Sequence, residues 1–301
     1  MKGKYPITGT FIDEITYDIP SSNWTEEQWA ADLDNMKAVG MDTLVFISGA
    51  FDGKCLYPSK IFPTLKEENE DFAGFIMREA AKRDMQVYLG MYISSVTWRV
   101  GDYKNEIAKN KLFLAEALER YGDISSFKGW YIPHEGSRNT FNLKETMQGL
   151  AALCKDKTPE KSVMISPFYQ GRGLNDGAVF SPERTVDEWN NIWEKSGKDI
   201  DICAFQDGTA SLDEYEGYLA AMKKLCKAHN IRFWTNVETF ERDVRRMYYP
   251  IPFDVLRKKL AIAEGYVEKS ITFEFSHFLS PQSIYPSARN LNTLYRNYYG
   301  K

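Results

Sequence analysis

Cysteine is scarce in this chain of 301 residues, and none of the four stands in CxxC spacing. A zinc ribbon or a dithiol redox motif is therefore not expected. Cys203, in the apparent strand Ile202-Cys203-Ala204-Phe205, reads as a buried free thiol, while a disulfide among the four stays open. No window is apolar for the length of a membrane helix, so no span is expected. Met1-Lys2-Gly3-Lys4-Tyr5-Pro6 has no apolar core of the kind a signal peptide needs. The chain reads as cytoplasmic, or as a mature form trimmed of an export signal and then periplasmic or extracellular. No excess of one charge is present: the net charge of -4 gives no reason to expect nucleic acid or an anionic membrane as partner. No GxGxxG follows the first strand, which argues against a dinucleotide fold, and no HExxH-like ligand spacing occurs. No cofactor and no metal are expected. There is no linker, charge block or sequence repeat, and nothing specifies an oligomeric state.

Aromatic side chains are abundant, with 7 Trp, 18 Tyr and 18 Phe, many of them in polar, loop-like surroundings. Flat amphipathic rings suit the apolar faces of sugars as well as protein cores. Strand and helix signals alternate from end to end. Strands are predicted at 7–14, 43–47, 86–92, 129–133, 162–167, 200–205, 231–238 and 270–275. Helices are predicted from Thr25 (as N-cap) to Gly40, from Asn69 to Arg83, and at 105–121, 143–154 and 212–229. Further helices are predicted from Thr185, at 253–264 and at 283–299. Eight strand–helix units at ~30 to 45 residues each suit a single (β/α)8 TIM barrel spanning 1–301.

Two strand ends carry the chemistry. Gly129-Trp130-Tyr131-Ile132-Pro133-His134-Glu135-Gly136 is an apolar run stopped by Pro133, which cannot donate to a sheet ladder. It leaves Glu135 just beyond the carboxyl end of the fourth strand, the rim where such barrels do chemistry. Ile231-Arg232-Phe233-Trp234-Thr235-Asn236-Val237-Glu238 has the same form on the seventh. Cleaving a glycosidic bond needs one protonated carboxyl for the leaving oxygen and one ionised carboxyl to attack or to activate water. Glu135 is the candidate acid/base and Glu238 the candidate nucleophile. A retaining reaction predicts the two carboxyls about 5 to 5.5 Å apart.

Other rim groups are candidates for sugar hydroxyls: Asp13 and Glu14 after strand one, Asp207 after strand six, and Glu274 and His277 after strand eight. Adjacent strand residues face opposite ways, so only one of Asp13 and Glu14 should look into the pocket. His134 either binds a substrate hydroxyl and adjusts Glu135 or packs on the rim. Asn236 shares a face with Glu238 and is a candidate pocket hydrogen-bonder. Candidate aromatic platforms are Trp24, Tyr57, Trp98, Tyr169, Tyr248 and Tyr249, with 247–250 the best subsite. The first loop also presents Tyr17 and Asp18.

The pattern resembles the large clan of retaining glycosidases on the (β/α)8 barrel. That clan ends strand four with its acid/base Glu, usually after Asn, and ends strand seven with its nucleophile. Trp130-Tyr131-Ile132-Pro133-His134-Glu135 is similar to the first motif and Trp234-Thr235-Asn236-Val237-Glu238 to the second. His134 stands where the clan has Asn, the group that contacts the hydroxyl beside the anomeric carbon. Nearly the whole chain also resembles a bacterial family catalogued as domain of unknown function 4434. The residues concerned are Gly9-Thr10-Phe11-Ile12-Asp13-Glu14, Trp29 to Phe46 with Leu33, Met36, Gly40, Asp42 and Thr43, and Gly129 to Glu135. The resemblance implies a glycosidase-like barrel, and many members carry export or lipoprotein signals; it implies no substrate.

The leading expectation is a retaining glycoside hydrolase acting on an oligosaccharide or polysaccharide. One alternative is a metal-dependent sugar isomerase or epimerase, for which Glu135, Asp207, Glu238, Glu274 and His277 could supply ligands. Another is a carbohydrate-binding barrel without catalysis, which His134 favours.

Overall fold

The computed structural model describes residues 5–16, 21–64, 71–136, 140–173, 179–242 and 247–301. Eight parallel strands close into a barrel. They are Gly9–Ile12 (β1), Thr43–Phe46 (β2), Gln86–Gly90 (β3), Phe127–Ile132 (β4), Ser162–Ile165 (β5), Ile202–Gln206 (β6), Arg232–Asn236 (β7) and Lys269–Thr272 (β8). Closure is made by β1, which pairs with β2 through Phe11↔Val45 and with β8 through Thr10↔Thr272.

These segments form strands because they are short apolar runs buried on both faces, as a parallel sheet covered by helices requires. One face of each run fills the barrel: Phe11, Val45, Tyr88, Tyr131, Met164, Ala204, Trp234 and Ile271 form one cluster. The opposite face meets the surrounding helices. Arg232 and Lys269 lie over the Trp234 ring at 5.1 and 5.4 Å and close the amino end of the barrel. At the carboxyl end Phe11 meets Tyr131 edge to face, centroids 5.1 Å apart, and forms the floor of a mouth.

The helices are Glu26–Ala38 (α1), Phe72–Lys82 (α2), Tyr103–Tyr121 (α3), Leu143–Lys157 (α4), Pro182–Ser196 (α5), Leu212–Ala228 (α6), Phe253–Ala263 (α7) and Pro286–Tyr299 (α8). A single further turn covers Phe275–Phe278. Thr25 caps α1 in a reciprocal capping box with Gln28, and Gly40 at φ +95° takes the chain off its end. Many boundaries shift by up to three residues from expectation, as where strand one runs only Gly9–Ile12 and strand seven stops at Asn236, and three shifts stand out. The fifth helix starts at Pro182, not Thr185, because Ser181 caps it by accepting from the Arg184 N–H. Strand eight stops at Thr272, since Phe275 already opens a helical turn. The last helix starts at Pro286. Asn69, Tyr17 and Asp18 lie outside the described residues.

Two small sheets sit on the rim. Ala50–Phe51 pairs with Lys54–Cys55 and with Tyr92–Ile93. After β7, Phe240–Arg242 pairs antiparallel with Tyr248–Pro250, so what reads as a loop is a hairpin beside the mouth. All four cysteines are free and buried. Among the described residues no helix is long and apolar enough to cross a membrane.

Candidate active site

The two candidate catalytic side chains follow the ends of barrel strands, and the local turn or strand parity decides where each goes. Tyr131 faces into the barrel from β4. Beyond Ile132 the chain tightens, the Glu135 N–H donating to the Pro133 carbonyl at 2.8 Å. This turn lifts Glu135 over the mouth, where the Tyr131 hydroxyl donates to its Oε1 at 3.2 Å. On β7, Val237 points outward into the helix layer, while Asn236 and Glu238 turn inward. The Glu238 N–H donates to Asp207 Oδ1 at 3.0 Å, and the Glu238 carboxylate lies against the bare Cα of Gly208.

Glu135 and Glu238 line one cavity of about 240 Å³ at the mouth. Asp13, Asn236, Tyr248 and His277 line it too, as does Gln206. Phe11, Phe240, Phe273, Phe278 and Ile47 make its apolar walls, and Arg242 and Thr16 complete it. The hairpin supplies Phe240, Arg242 and Tyr248. The Arg242 guanidinium lies over the Phe240 and Tyr248 rings at 5.7 and 5.1 Å.

Burial sets the electrostatics. Glu135 keeps part of its surface towards the cavity, and protein surrounds the rest. Loss of water pushes its carboxyl up to about 7; hydrogen bonds from Gln206 and Tyr131 and the charge of Arg242 oppose the rise. Glu238 is pushed to about 7 by burial and then by the neighbouring Asp207 charge, against the pull of Lys259 and Arg242. Tyr131 is itself held well above 10 by burial, so it remains a donor. Burial raises Glu274 to about 7 despite His277 beside it. Burial alone would lower His277, but Glu274, at 2.6 Å from Nδ1, together with Asp13 and Glu14 outweighs it and the imidazole is raised.

Six residues expected at the pocket lie elsewhere. His134 is buried with Nε2 3.1 Å from Glu106 Oε2 on α3, its ring edge-on to Trp98 at 4.8 Å. It follows the opposite parity to Glu135 and faces the helix layer, taking Trp98 with it. Tyr169 is stacked between Phe205 and Tyr218, both at 4.7 Å, because the post-β5 segment folds down onto α6. Asp207 points behind Glu238 to Lys259, whose Nζ is 3.2 Å from Oδ1. Glu274 stands behind His277 and accepts the Asp13 N–H at 3.0 Å. Glu14 is buried and accepts from Ser21, whose hydroxyl is 3.1 Å from His277 Nε2. Asp13, by contrast, lines the cavity, its carboxylate held by the Ile15 and Thr16 N–H groups at 3.0 Å. Among the other aromatics, Trp24 packs on Trp29, and Tyr57 is wedged by Phe113 and Tyr121. Tyr249 is 40% exposed and donates to Glu241 at 3.2 Å.

The lining residues missed in sequence are Phe11, Thr16, Ile47, Gln206, Phe240, Arg242, Phe273 and Phe278. Glu238, Phe240 and Arg242 stand two apart in the sequence and all three line the cavity; that spacing was the available signal. Among the described residues no group of three or more His, Cys, Asp or Glu is arranged to hold a metal ion. The isomerase alternative therefore has no ligand set among them.

The family model described as "Domain of unknown function (DUF4434)" matches residues 7–285. This chain belongs to the DUF4434 family. A solved structure described as a "putative alpha-L-fucosidase" from Bacteroides thetaiotaomicron VPI-5482 is similar to this DUF4434 chain at 37% identity, with 98% of this chain and 94% of that chain covered and a TM-score of 0.92. The catalytic domain of the major endoglucanase from Xanthomonas campestris pv. campestris is similar in fold at 12% identity, covering 98% and 94%, with a TM-score of 0.57. An intracellular xylanase from Thermoanaerobacterium saccharolyticum gives 14% identity, 89% and 85% coverage and a TM-score of 0.54. The latter two likenesses bear on the fold alone. No curated protein matches the chain.

Proposed function

We propose that this DUF4434 protein is a retaining glycoside hydrolase in which Glu135 is the acid/base and Glu238 the nucleophile. The observation that carries the reading is that Glu135 and Glu238, from opposite parts of the rim, line the same cavity with both carboxyls raised to about 7. One proton shared across such a pair at neutral pH leaves one acid and one base, which is the division of labour the reaction needs. Glu135 gives its proton to the leaving oxygen while Glu238 bonds to the anomeric carbon; Glu135 then takes a proton from water, which displaces Glu238. Asn236 has a buried Oδ1 without a partner and faces the cavity. In this reading it accepts from a sugar hydroxyl, the task for which His134 is turned away. Phe240, Phe273 and Tyr248 cover the apolar face of the ring.

The relative described as a "putative alpha-L-fucosidase" makes a 6-deoxy sugar the first candidate, since a methyl-bearing edge suits this aromatic wall. The test is an aryl-glycoside and glycan panel, α-L-fucoside included, run with wild type, Glu135→Gln and Glu238→Gln. Loss of turnover in both variants with unchanged melting supports the reading, as does a first-formed product of retained configuration. Full activity in Glu135→Gln, or inversion, defeats it.

A sugar-binding barrel without catalysis is the second reading. The position of His134 against Glu106 favours it. Its signature is saturable glycan binding with no cleavage in long incubations.

A further inference from the structure

Helix α7 turns a core-facing stripe of Leu256, Lys259, Leu260 and Ala263 towards the barrel. Positions three and four apart on one face call for apolar side chains, and a lysine there is anomalous. Lys259 is only 8% exposed, and its Nζ reaches Asp207 Oδ1 at 3.2 Å. Asp207 is 1% exposed, and the same Oδ1 accepts the Glu238 N–H at 3.0 Å while Oδ2 has no hydrogen-bond partner. A buried ion pair left this incompletely bonded does not recover its desolvation cost, so stability alone does not account for it.

We propose that Lys259 is a positioning residue for Glu238: by neutralising Asp207 behind the rim, it lets the enclosed mouth carry the Glu238 carboxylate as an anion. The proposal rests on the assignment of Glu238 as nucleophile. The charged groups bearing on Glu238 come from four elements: Asp207 after β6, Lys259 on α7, Arg242 on the hairpin and Glu135 after β4. Asp207 and Glu135 repel its charge, while Lys259 and Arg242 attract it. Arg242 is on the rim, exposed to water and to its screening, whereas Lys259 acts from inside. Without Lys259, Asp207 and Glu238 would be two anions of one buried unit, and one of them would have to take up a proton.

The test is a carboxyl ¹³C NMR titration of the full chain, with the Glu238 signal identified by its loss in Glu238→Gln. Removing the opposite charge of Lys259 raises the Glu238 midpoint in Lys259→Met by about one pH unit or more. Lys259→Arg keeps the wild-type midpoint, and Lys259→Met combined with Asp207→Asn brings it back down. An unchanged midpoint in Lys259→Met overturns the proposal, as does a rise that the second substitution fails to reverse. If Lys259→Met does not fold, Lys259→Gln, uncharged but polar, decides, with a raised midpoint expected and an unchanged one refuting. The titration needs no turnover, so it separates this proposal from the glycosidase reading: the panel can fail while the titration succeeds, and the reverse.

Discussion

Replacing Gly208 by alanine puts a methyl group where the Glu238 carboxylate now lies. A Cβ built on Gly208 meets Oε2, Cδ and Oε1 of Glu238 far inside van der Waals contact. Heavy atoms rest at about 3.5 to 4 Å, so the carboxylate must move by more than about 1 Å. A displacement of about 1 Å costs on the order of 10² in rate, equivalent to about 2.7 kcal/mol of transition-state stabilisation. The fold should bear the change easily. Gly208 is not among the residues at positive φ, and what the methyl meets is the free end of a side chain rather than backbone. The expected result is kcat/KM down by about two orders of magnitude, with a melting temperature close to wild type. The assay pairs initial rates on the best substrate of the panel with thermal unfolding. Unchanged kcat/KM in a folded Gly208→Ala protein would refute both the placement of Glu238 and its role.

Activity should follow a bell in pH with its maximum near 7, because both carboxyls lie at about 7 and repulsion between them separates their two proton losses. Below the bell Glu238 is protonated and cannot attack; above it Glu135 has lost the proton it must donate. Tyr131→Phe removes the donor that favours ionised Glu135, so the alkaline limb should move up, by as much as about one unit; a downward shift contradicts the assignment. Asp32 is a stability counterpart: burial raises its carboxyl from 3.8 to about 6 against hydrogen bonds from Ser280, Ser276 and Gln282. The native state then holds a proton that the unfolded chain releases, so this contribution is present below about 4 and is lost as pH rises through about 6. Roughly 3 kcal/mol is at stake, as an upper bound at 1.36 kcal/mol per unit. Asp32→Asn should therefore gain on wild type in urea unfolding between pH 4.5 and 7.5; a constant difference would show that Asp32 does not titrate in this window.

The barrel was legible because its signals are local. Thr25 ahead of two acids, Gly40 behind Val39 and the apolar runs at 43–46 and 202–206 each specify their own element. Eight such units in one chain leave a closed parallel sheet as the economical way to bury every strand. The start of α5 moved because a stronger local device, Ser181-Pro182, caps it earlier.

The site was legible only in part. Sequence order alone put Glu135 and Glu238 at strand ends, since apolar runs end where polar residues begin. Parity also separated Asp13 from Glu14, but only closure of the sheet decides which face of a strand is the inside, and that choice sent His134 to Glu106 and Glu135 to the mouth. Tyr169 and Tyr248 look alike in sequence, as aromatic residues after a strand. One is stacked beneath α6 and the other lines the cavity, because the post-β5 segment folds inward while the post-β7 segment forms a hairpin. Lys259 and Asp207, 52 residues apart, meet only because α7 packs beside α6 in the helix layer with Lys259 on its buried face. Period, capping and strand ends are properties of neighbouring residues, so the sequence determined them by itself. Which side chains converge, and which charges must share one desolvated volume, depends on long-range closure, and that was decided by the tertiary structure.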